Sequence, residues 1–95
     1  MKTESLIKPP KSKVLKSGRV TLLPGEEIGE HKTDKREELI IVLKGTATLI
    51  KGKKPEETIV LTAGKTYYIK EDVLHNVKNA SDEELEYVYV VSLFG

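Results

Sequence analysis

Short runs of β-branched, aliphatic and aromatic residues, separated by glycine, proline and polar turns, leave this 95-residue chain little alternative to an all-β fold. No segment shows the 3.6-residue apolar periodicity of an amphipathic helix. Many short strands with turns between them are typical of a β-sandwich or β-barrel. The predicted strands cover residues 19–23, 39–43, 46–50, 58–61, 66–69, 74–77 and 85–93.

Two segments carry more specific expectations. Residues 39–43 (Leu-Ile-Ile-Val-Leu) are continuously apolar, which is typical of a strand that is covered on both faces. Residues 51–57 are polar and contain a glycine and a proline, so they predict an exposed hairpin loop.

The length and composition of the chain exclude several classes of protein. Ninety-five residues suffice for one compact domain, and so small a domain is expected to gain stability from barrel closure, a metal or a partner subunit. The absence of cysteine excludes disulfides, thiolate zinc sites and cysteine nucleophiles. No apolar run is long enough to span a bilayer, and the N-terminal residues lack an apolar signal segment. We therefore expect a cytoplasmic protein without a membrane partner.

The composition also resembles that of thermophilic proteins. Charged residues, mostly lysine and glutamate, make up 33% of the chain, whereas glutamine and cysteine are absent. Ion-pair networks stabilise proteins more at high temperature, and thermally labile side chains are reduced there. We therefore expect a thermophilic source.

The charges are balanced except at the N-terminus. Sixteen basic and fifteen acidic residues give a net charge of +1, which argues against a dedicated nucleic-acid-binding protein. Residues 1–19 carry six basic residues and one acidic residue, and no aromatic residue among them could stack on bases, which favours a solvated terminus over an arm for nucleic acid or an acidic partner. Residues 1–13 also contain two prolines. We predict an extended basic arm over residues 1–13 and a single domain over residues 14–95. Such an arm can add an edge strand to a second copy of the chain, so a homodimer is expected.

The two histidines of the chain, His31 and His75, together with Glu38 are the best candidates for a chemical site. Strand side chains alternate between faces, and a barrel brings the inward faces of its strands together around one interior. Two imidazoles and a carboxylate that converge there would form a facial triad, which suits a borderline divalent metal and leaves three positions open. The spacing does not choose among polarising a carbonyl, activating water and holding an enolate or dioxygen.

The residues around His31 resemble the first motif of the cupin superfamily, G-x5-H-x-H-x(3,4)-E-x6-G. Gly25, His31, Glu38 and Gly45 match it at the same spacing, with Thr33 in place of the second histidine. The resemblance therefore includes one of the two histidines of this motif and its glutamate.

The residues around His75 resemble the second cupin motif, G-x5-P-x-G-x2-H-x3-N. Gly64, His75 and Asn79 match it, whereas Lys70 stands in place of the proline and Asp72 in place of the glycine. Together the two motifs span residues 25–79, and the flanking predicted strands are compatible with them.

The resemblance implies a small antiparallel β-barrel of jelly-roll type with a metal held by His31, Glu38 and His75. The metal would be iron, manganese, nickel, copper or zinc. Thr33 stands at the position of the missing fourth ligand. Its neutral hydroxyl is a poor ligand, and we expect it to hydrogen-bond a metal-bound water or Glu38 instead.

The resemblance also implies a function inside the barrel. The chain would bind or transform a small polar metabolite, by dioxygenase, isomerase or lyase chemistry if it is catalytic. The alternatives are a metal-free ligand-binding or regulatory module without catalysis, and a structural dimer with a vestigial pocket. Whether the protein is an enzyme stays open, because catalysis needs an acid–base residue besides the ligand Glu38 and the sequence identifies none.

The remaining polar candidates have structural and functional interpretations. Asn79 is expected to support a turn through its side chain. The tyrosines suit either a pocket wall or ordinary strand positions; they are Tyr67, Tyr68, Tyr87 and Tyr89. Three glutamates near the first motif offer a further carboxylate for the site; they are Glu26, Glu27 and Glu30.

Overall fold

The computed structural model describes residues 1–93, which form nine antiparallel strands and no helix. The strands are β1 (Lys2–Ile7), β2 (Leu15–Leu22), β3 (His31–Lys32), β4 (Glu38–Lys44), β5 (Thr46–Lys51), β6 (Glu57–Thr62), β7 (Thr66–Ile69), β8 (Leu74–Lys78) and β9 (Leu85–Ser92). Consequently, residues 1–93 contain no helix of the length and apolarity needed to cross a membrane.

The strands form two sheets that face each other. One sheet has five strands in the order β1-β2-β9-β4-β7, and the other has four in the order β3-β8-β5-β6. The chain crosses from one sheet to the other after β2, β3, β4, β6, β7 and β8. This arrangement confirms the predicted all-β jelly-roll fold.

The core lies between the two sheets and is built from alternate residues of their strands. In β4, for example, Ile40 and Val42 are 1% and 0% exposed, while their neighbours along the strand face outward. The buried apolar cluster consists of Val20, Leu22, Ile40, Val42, Ala47, Leu49, Leu61, Ile69, Val77, Leu85 and Tyr87.

The outer face of β4 differs from the expectation for residues 39–43. Leu39 and Ile41 are only partly buried, and Leu43 is 46% exposed. The prediction that this strand is covered on both faces is therefore wrong within the described chain. An apolar run is the pattern of a doubly covered strand, but here only the inner face packs against the second sheet.

The predicted strands agree with the structure apart from their ends. The segment 66–69 is β7, while β2 begins four residues before the predicted start at residue 19. The structure adds the two-residue β3, whose residues are exposed and show no apolar alternation. It also makes residues 2–7 of the basic arm the strand β1, where the sequence predicts an edge strand only on a second copy of the chain.

The predicted basic arm contains β1, which pairs with β2 of the same chain and forms one edge of the larger sheet. The arm thus contributes a strand to the fold described here. The last two residues of the predicted domain 14–95 lie outside the described residues.

Asn79 supports a turn, as predicted. Its side chain is 1% exposed, and its amide nitrogen donates to the carbonyl oxygens of Leu22 at 2.9 Å and Glu83 at 2.7 Å. The amide oxygen accepts hydrogen bonds from the backbone and hydroxyl of Ser81, at 3.1 and 2.7 Å. Asn79 therefore ties the turn before β9 to the end of β2.

Gly45 connects the two sheets at the turn between β4 and β5. Its φ of 81° lies in the left-handed region, and a β-carbon there would collide with the Glu84 carbonyl and approach the Leu85 Cα to 3.1 Å. Gly64 has a similar φ of 88°, but a β-carbon there would meet open space. Substitutions at the two glycines therefore distinguish the free-energy cost of the left-handed backbone from the cost of the steric collision.

We expect Gly64→Ala to lower the free energy of unfolding by about 1 kcal/mol, because only the left-handed backbone is penalised. Gly45→Ala should lower it by more than about 2 kcal/mol, because the backbone at Glu84 must also move. Urea denaturation of both variants checks this. Equal losses in the two variants would show that the close approach to β9 contributes nothing.

Candidate metal centre

The three candidate ligands come from three strands and from both sheets. His31 lies on β3 and His75 on β8, and the two residues are directly paired across the smaller sheet. Glu38 is the first residue of β4 in the larger sheet. The site therefore lies at one end of the barrel, where the two sheets face each other.

The side chains of these residues converge on one carboxylate oxygen. The Nε2 atom of His75 is 3.0 Å from Oε1 of Glu38, and Nε2 of His31 is 3.9 Å from the same oxygen. The imidazole rings lie edge to face, with centroids 4.2 Å apart. One potential ligand atom from each residue lies within 4.8 Å of the others.

Both imidazoles are oriented in the same way by the backbone. Nδ1 of His31 donates to the carbonyl of Gly29 at 2.9 Å, and Nδ1 of His75 donates to the carbonyl of Val73 at 2.8 Å. A carbonyl can only accept, so Nδ1 carries the proton and Nε2 is the nitrogen directed at Glu38. This is the arrangement that makes Nε2 of a neutral imidazole available to a metal.

The electrostatics of the site favour an ionised carboxylate. Burial would raise the pKa of Glu38, which is 6% exposed, but the interactions with His31 and His75 outweigh burial and hold that pKa below its usual value. The same interaction with Glu38 raises the pKa of His31, although partial burial opposes it. A negative charge is thus retained between two nitrogen donors.

The donor set fits a divalent transition metal. Imidazole and carboxylate ligands lie about 2.0–2.2 Å from such an ion, so ligand atoms at right angles are about 3.0 Å apart and tetrahedral ones about 3.4 Å apart. The observed separations of 3.0 and 3.9 Å bracket these values. The separation of His75 and Glu38 already matches a shared ion, whereas the partly exposed His31 would have to move closer to the carboxylate.

The sequence matches the cupin domain family over residues 18–91. This chain belongs to the cupin family. Among curated protein sequences, none matches it significantly. The family match confirms the resemblance to the cupin superfamily that the two motifs indicated.

Solved structures show the same fold. A Thermotoga maritima protein described as a predicted oxalate decarboxylase superposes with a TM-score of 0.85 at 21% identity, over 97% of this chain and 79% of that one. The Thermus thermophilus protein TT1209 gives 0.84 at 20% identity, over 97% and 82% of the two chains. An oxalate oxidase gives 0.72 at 24% identity, over 81% of this chain and 41% of the other. At such identities the likeness establishes the fold and leaves the activity open.

Of the two partners predicted for the Thr33 hydroxyl, Glu38 is not the one it bonds, and a metal-bound water stays a prediction. The Thr33 hydroxyl donates to the carbonyl of Arg36 at 3.1 Å, so it closes the turn before β4 instead of bonding to Glu38. Short hydroxyl side chains commonly form such local bonds to the backbone, and this competes with a longer-range contact. The methyl-bearing side chain still lines the pocket above the triad.

Asn76 is a site residue that the sequence analysis missed. Its amide oxygen accepts from the backbone N–H of Gly29 at 3.0 Å, and its nitrogen donates to Glu27 at 3.2 Å. Gly29 in turn provides the carbonyl that orients His31. Asn76 therefore helps to position His31, although it lies on β8 together with His75. No motif or periodicity in the sequence indicates this role.

Asp72 explains how this chain departs from the second cupin motif. It has a φ of 62°, the left-handed conformation that the glycine usual at this position adopts without strain. Its carboxylate accepts from the backbone N–H of Lys35 at 3.0 Å, and its own N–H donates to the carbonyl of Thr33 at 3.2 Å. The aspartate thus links the turn before β8 to the turn before β4.

A pocket of about 440 Å³ opens at the triad, where His31 and Glu38 line it while His75 is 1% exposed and does not. Its walls consist of Thr3, Val20, Ile28, Gly29, Glu30, His31, Thr33, Glu38, Tyr87, Tyr89 and Val91. Two of the four tyrosines therefore line it, whereas Tyr67 packs against the core and Tyr68 is exposed. Of the three glutamates considered, only Glu30 lines the pocket; Glu26 pairs with the N-terminal ammonium and Glu27 with Asn76 and Lys78.

We expect Glu38→Gln to lower the pKa of His31 in the metal-free protein, because the carboxylate is the main cause of its raised value. The chain has two histidines, so proton NMR titration follows each imidazole separately. Glu30→Gln is the matched control and should leave the pKa of His31 nearly unchanged. An identical His31 titration in the wild type and Glu38→Gln would contradict this account of the site.

Proposed function

We propose that this cupin binds a divalent transition metal through His31, Glu38 and His75 and uses it to hold a small molecule in the pocket above. The metal would be iron, manganese, nickel, copper or zinc, all of which accept imidazole and carboxylate ligands. With three protein ligands, the ion keeps open positions for water or an oxygen atom of the bound molecule.

The observation that carries this proposal is the common orientation of the two imidazoles. Each Nδ1 is engaged by a backbone carbonyl two residues earlier, at 2.9 and 2.8 Å, so both Nε2 atoms are directed toward Glu38. One imidazole can make such a hydrogen bond for structural reasons alone. Two imidazoles oriented in the same way around one carboxylate are the arrangement in which histidines bind a metal.

The pocket also contains a group that a catalytic role would need. Glu38 cannot serve as ligand and base together, so proton transfer requires another residue. Glu30 is the carboxylate that lines the pocket outside the triad, and we assign it this role if the bound molecule is transformed. The metal would then act as a Lewis acid, as in isomerase, lyase or dioxygenase chemistry.

We expect protein purified without an affinity tag to retain close to one transition metal ion per chain by elemental analysis. Glu38→Gln should lower the metal affinity by at least about tenfold, because an anionic ligand is lost while the shape of the side chain is kept. His31→Ala, at a partly exposed position, provides a second test that does not depend on substitution in the core.

Glu30→Gln is the matched control for this experiment, since it neutralises a carboxylate in the same pocket without touching the triad. It should retain the metal. The metal proposal fails if the wild type contains no metal and iron, manganese, nickel, copper and zinc all leave its melting temperature unchanged.

A metal-free ligand-binding or regulatory module is the second candidate. It is favoured by the 3.0 Å contact between Nε2 of His75 and Glu38, because a second proton on the imidazole, at Nε2, would donate to the carboxylate and satisfy both buried side chains without an ion. Among the described residues, no buried side-chain nitrogen or oxygen lacks a hydrogen-bond partner. Stabilisation by a metabolite in protein shown to be metal-free would support this candidate.

We also propose that the chain forms a homodimer through the outer face of the five-stranded sheet. Leu39 pairs with Val90 and Ile41 with Val88, so four partly exposed apolar side chains adjoin one another at its centre. A surface of this kind is typical of an interface, and a small domain gains stability by covering it. A second copy presents the same apolar face and so satisfies the two-fold symmetry of a dimer.

We expect light scattering after size-exclusion chromatography to give twice the mass of one chain for the wild type. Ile41→Glu should give the mass of a single chain, because the charge would lie in the centre of the interface. Val60→Glu is the control, since Val60 is 62% exposed on the other sheet. A monomeric wild type, or a dimeric Ile41→Glu variant, would exclude this interface.

A further inference from the structure

We propose that the pocket over the triad selects a neutral or singly charged molecule with an apolar body and an oxygen-bearing end, and rejects compact dianions such as oxalate. This inference rests on the proposed function, because the oxygen-bearing end would bind the metal held by His31, Glu38 and His75. It separates this cupin from the oxalate-related chemistry in the names of its structural neighbours.

The charge of the pocket is the first argument. None of the described residues that line it is a lysine or arginine, and both Glu30 and Glu38 are acidic. A divalent ion with the Glu38 carboxylate leaves one positive charge, which balances one negative charge of a bound molecule. A dianion, even with both carboxylates on the ion, would add a second negative charge that no lysine or arginine of the described lining residues pairs with, and burying an uncompensated charge is costly.

The lysines near Glu30 do not alter this argument. Lys53 and Lys54 line a separate surface depression, which shares only Glu30 with the pocket over the triad. Lys32, next to His31 in sequence, pairs with Asp34 at 3.6 Å. These cations lie outside the space in which a metal-bound molecule would sit.

The walls of the pocket are the second argument. Val20, Ile28 and Val91 contribute aliphatic surface, and Tyr87 and Tyr89 contribute aromatic rings. Burial is the main cause that raises the pKa of Tyr87, so its hydroxyl stays protonated and brings no charge into the pocket. Such walls favour an apolar body over a small, strongly hydrated anion.

The ring of Tyr89 lies directly over Gly18 on the neighbouring strand. A β-carbon at Gly18 would approach the far end of this ring to 2.6–2.8 Å, so any other residue would displace the ring. The glycine therefore keeps Tyr89 flat against the sheet and leaves the space above the triad open. A cavity of about 150 Å³ accommodates benzene, so the 440 Å³ observed here holds a ring together with its oxygen-bearing end.

Two pairs of probes test the proposal by isothermal titration calorimetry on metal-loaded protein. Benzoate and acetate share a carboxylate and differ in the apolar body, while oxamate and oxalate share a shape and differ by one charge. We expect benzoate to bind at least about tenfold more tightly than acetate, because its ring is removed from water. We expect oxamate to bind more tightly than oxalate.

A cation added at the rim of the pocket should reduce the preference for oxamate over oxalate. Thr3 lines the pocket from the exposed strand β1, so Thr3→Lys should raise the affinity for oxalate relative to oxamate by about threefold or more. Thr62→Lys adds the same charge at an exposed position on β6, away from the pocket, and should leave the ratio unchanged.

The metal content of each sample, measured before and after the titration, separates the two proposals. If the metal is retained but acetate equals benzoate, or oxalate binds at least as tightly as oxamate, the ligand class is wrong and the metal function stands. If no metal can be loaded, the metal function fails and the ligand class, which rests on it, fails with it.

Discussion

The interaction of Glu38 with the two histidines joins the two sheets at the open end of the barrel. Glu38 belongs to the larger sheet and the imidazoles to the smaller one, and the shortest contact between them is 3.0 Å. A buried carboxylate is tolerated only where such partners compensate for lost hydration. The two-residue strand β3 is held to the smaller sheet by the pairing of His31 with His75 and of Lys32 with Leu74.

The rest of the site follows from how the polar groups near this contact are satisfied. Asn76 holds the N–H of Gly29, Gly29 orients His31, and Asp72 links the turns on either side of the site. Because each of these polar groups has its own hydrogen-bond partner, the imidazoles keep one orientation. The walls of the pocket therefore need not supply further polar partners and can be apolar. The geometry is compatible with a metal and is also complete as a hydrogen-bonded cluster, so elemental analysis distinguishes the two functions directly.

Sequence reasoning succeeded where local pattern and burial coincide. The strand 66–69, the turn role of Asn79 and the grouping of His31, Glu38 and His75 all follow from the sequence and are found in the structure. It assigned the edge strand of the basic arm to a second copy, whereas β1 pairs with β2 of the same chain, a pairing that its fully exposed side chains do not encode. Within a single chain it also misjudged Leu39 to Leu43, since an apolar run reports hydrophobicity but not whether a second sheet or a second copy of the chain covers the outer face.

The sequence by itself determined the all-β architecture, because strand periodicity and turn residues are local properties. It also determined which three side chains have the chemistry to bind a metal. Only the tertiary structure decided that the hydroxyl of Thr33 bonds to Arg36, that Asn76 orients His31 and that two tyrosines line the pocket. Those outcomes depend on contacts between residues distant in sequence or on competition among nearby acceptors, and neither is encoded in the spacing of a motif.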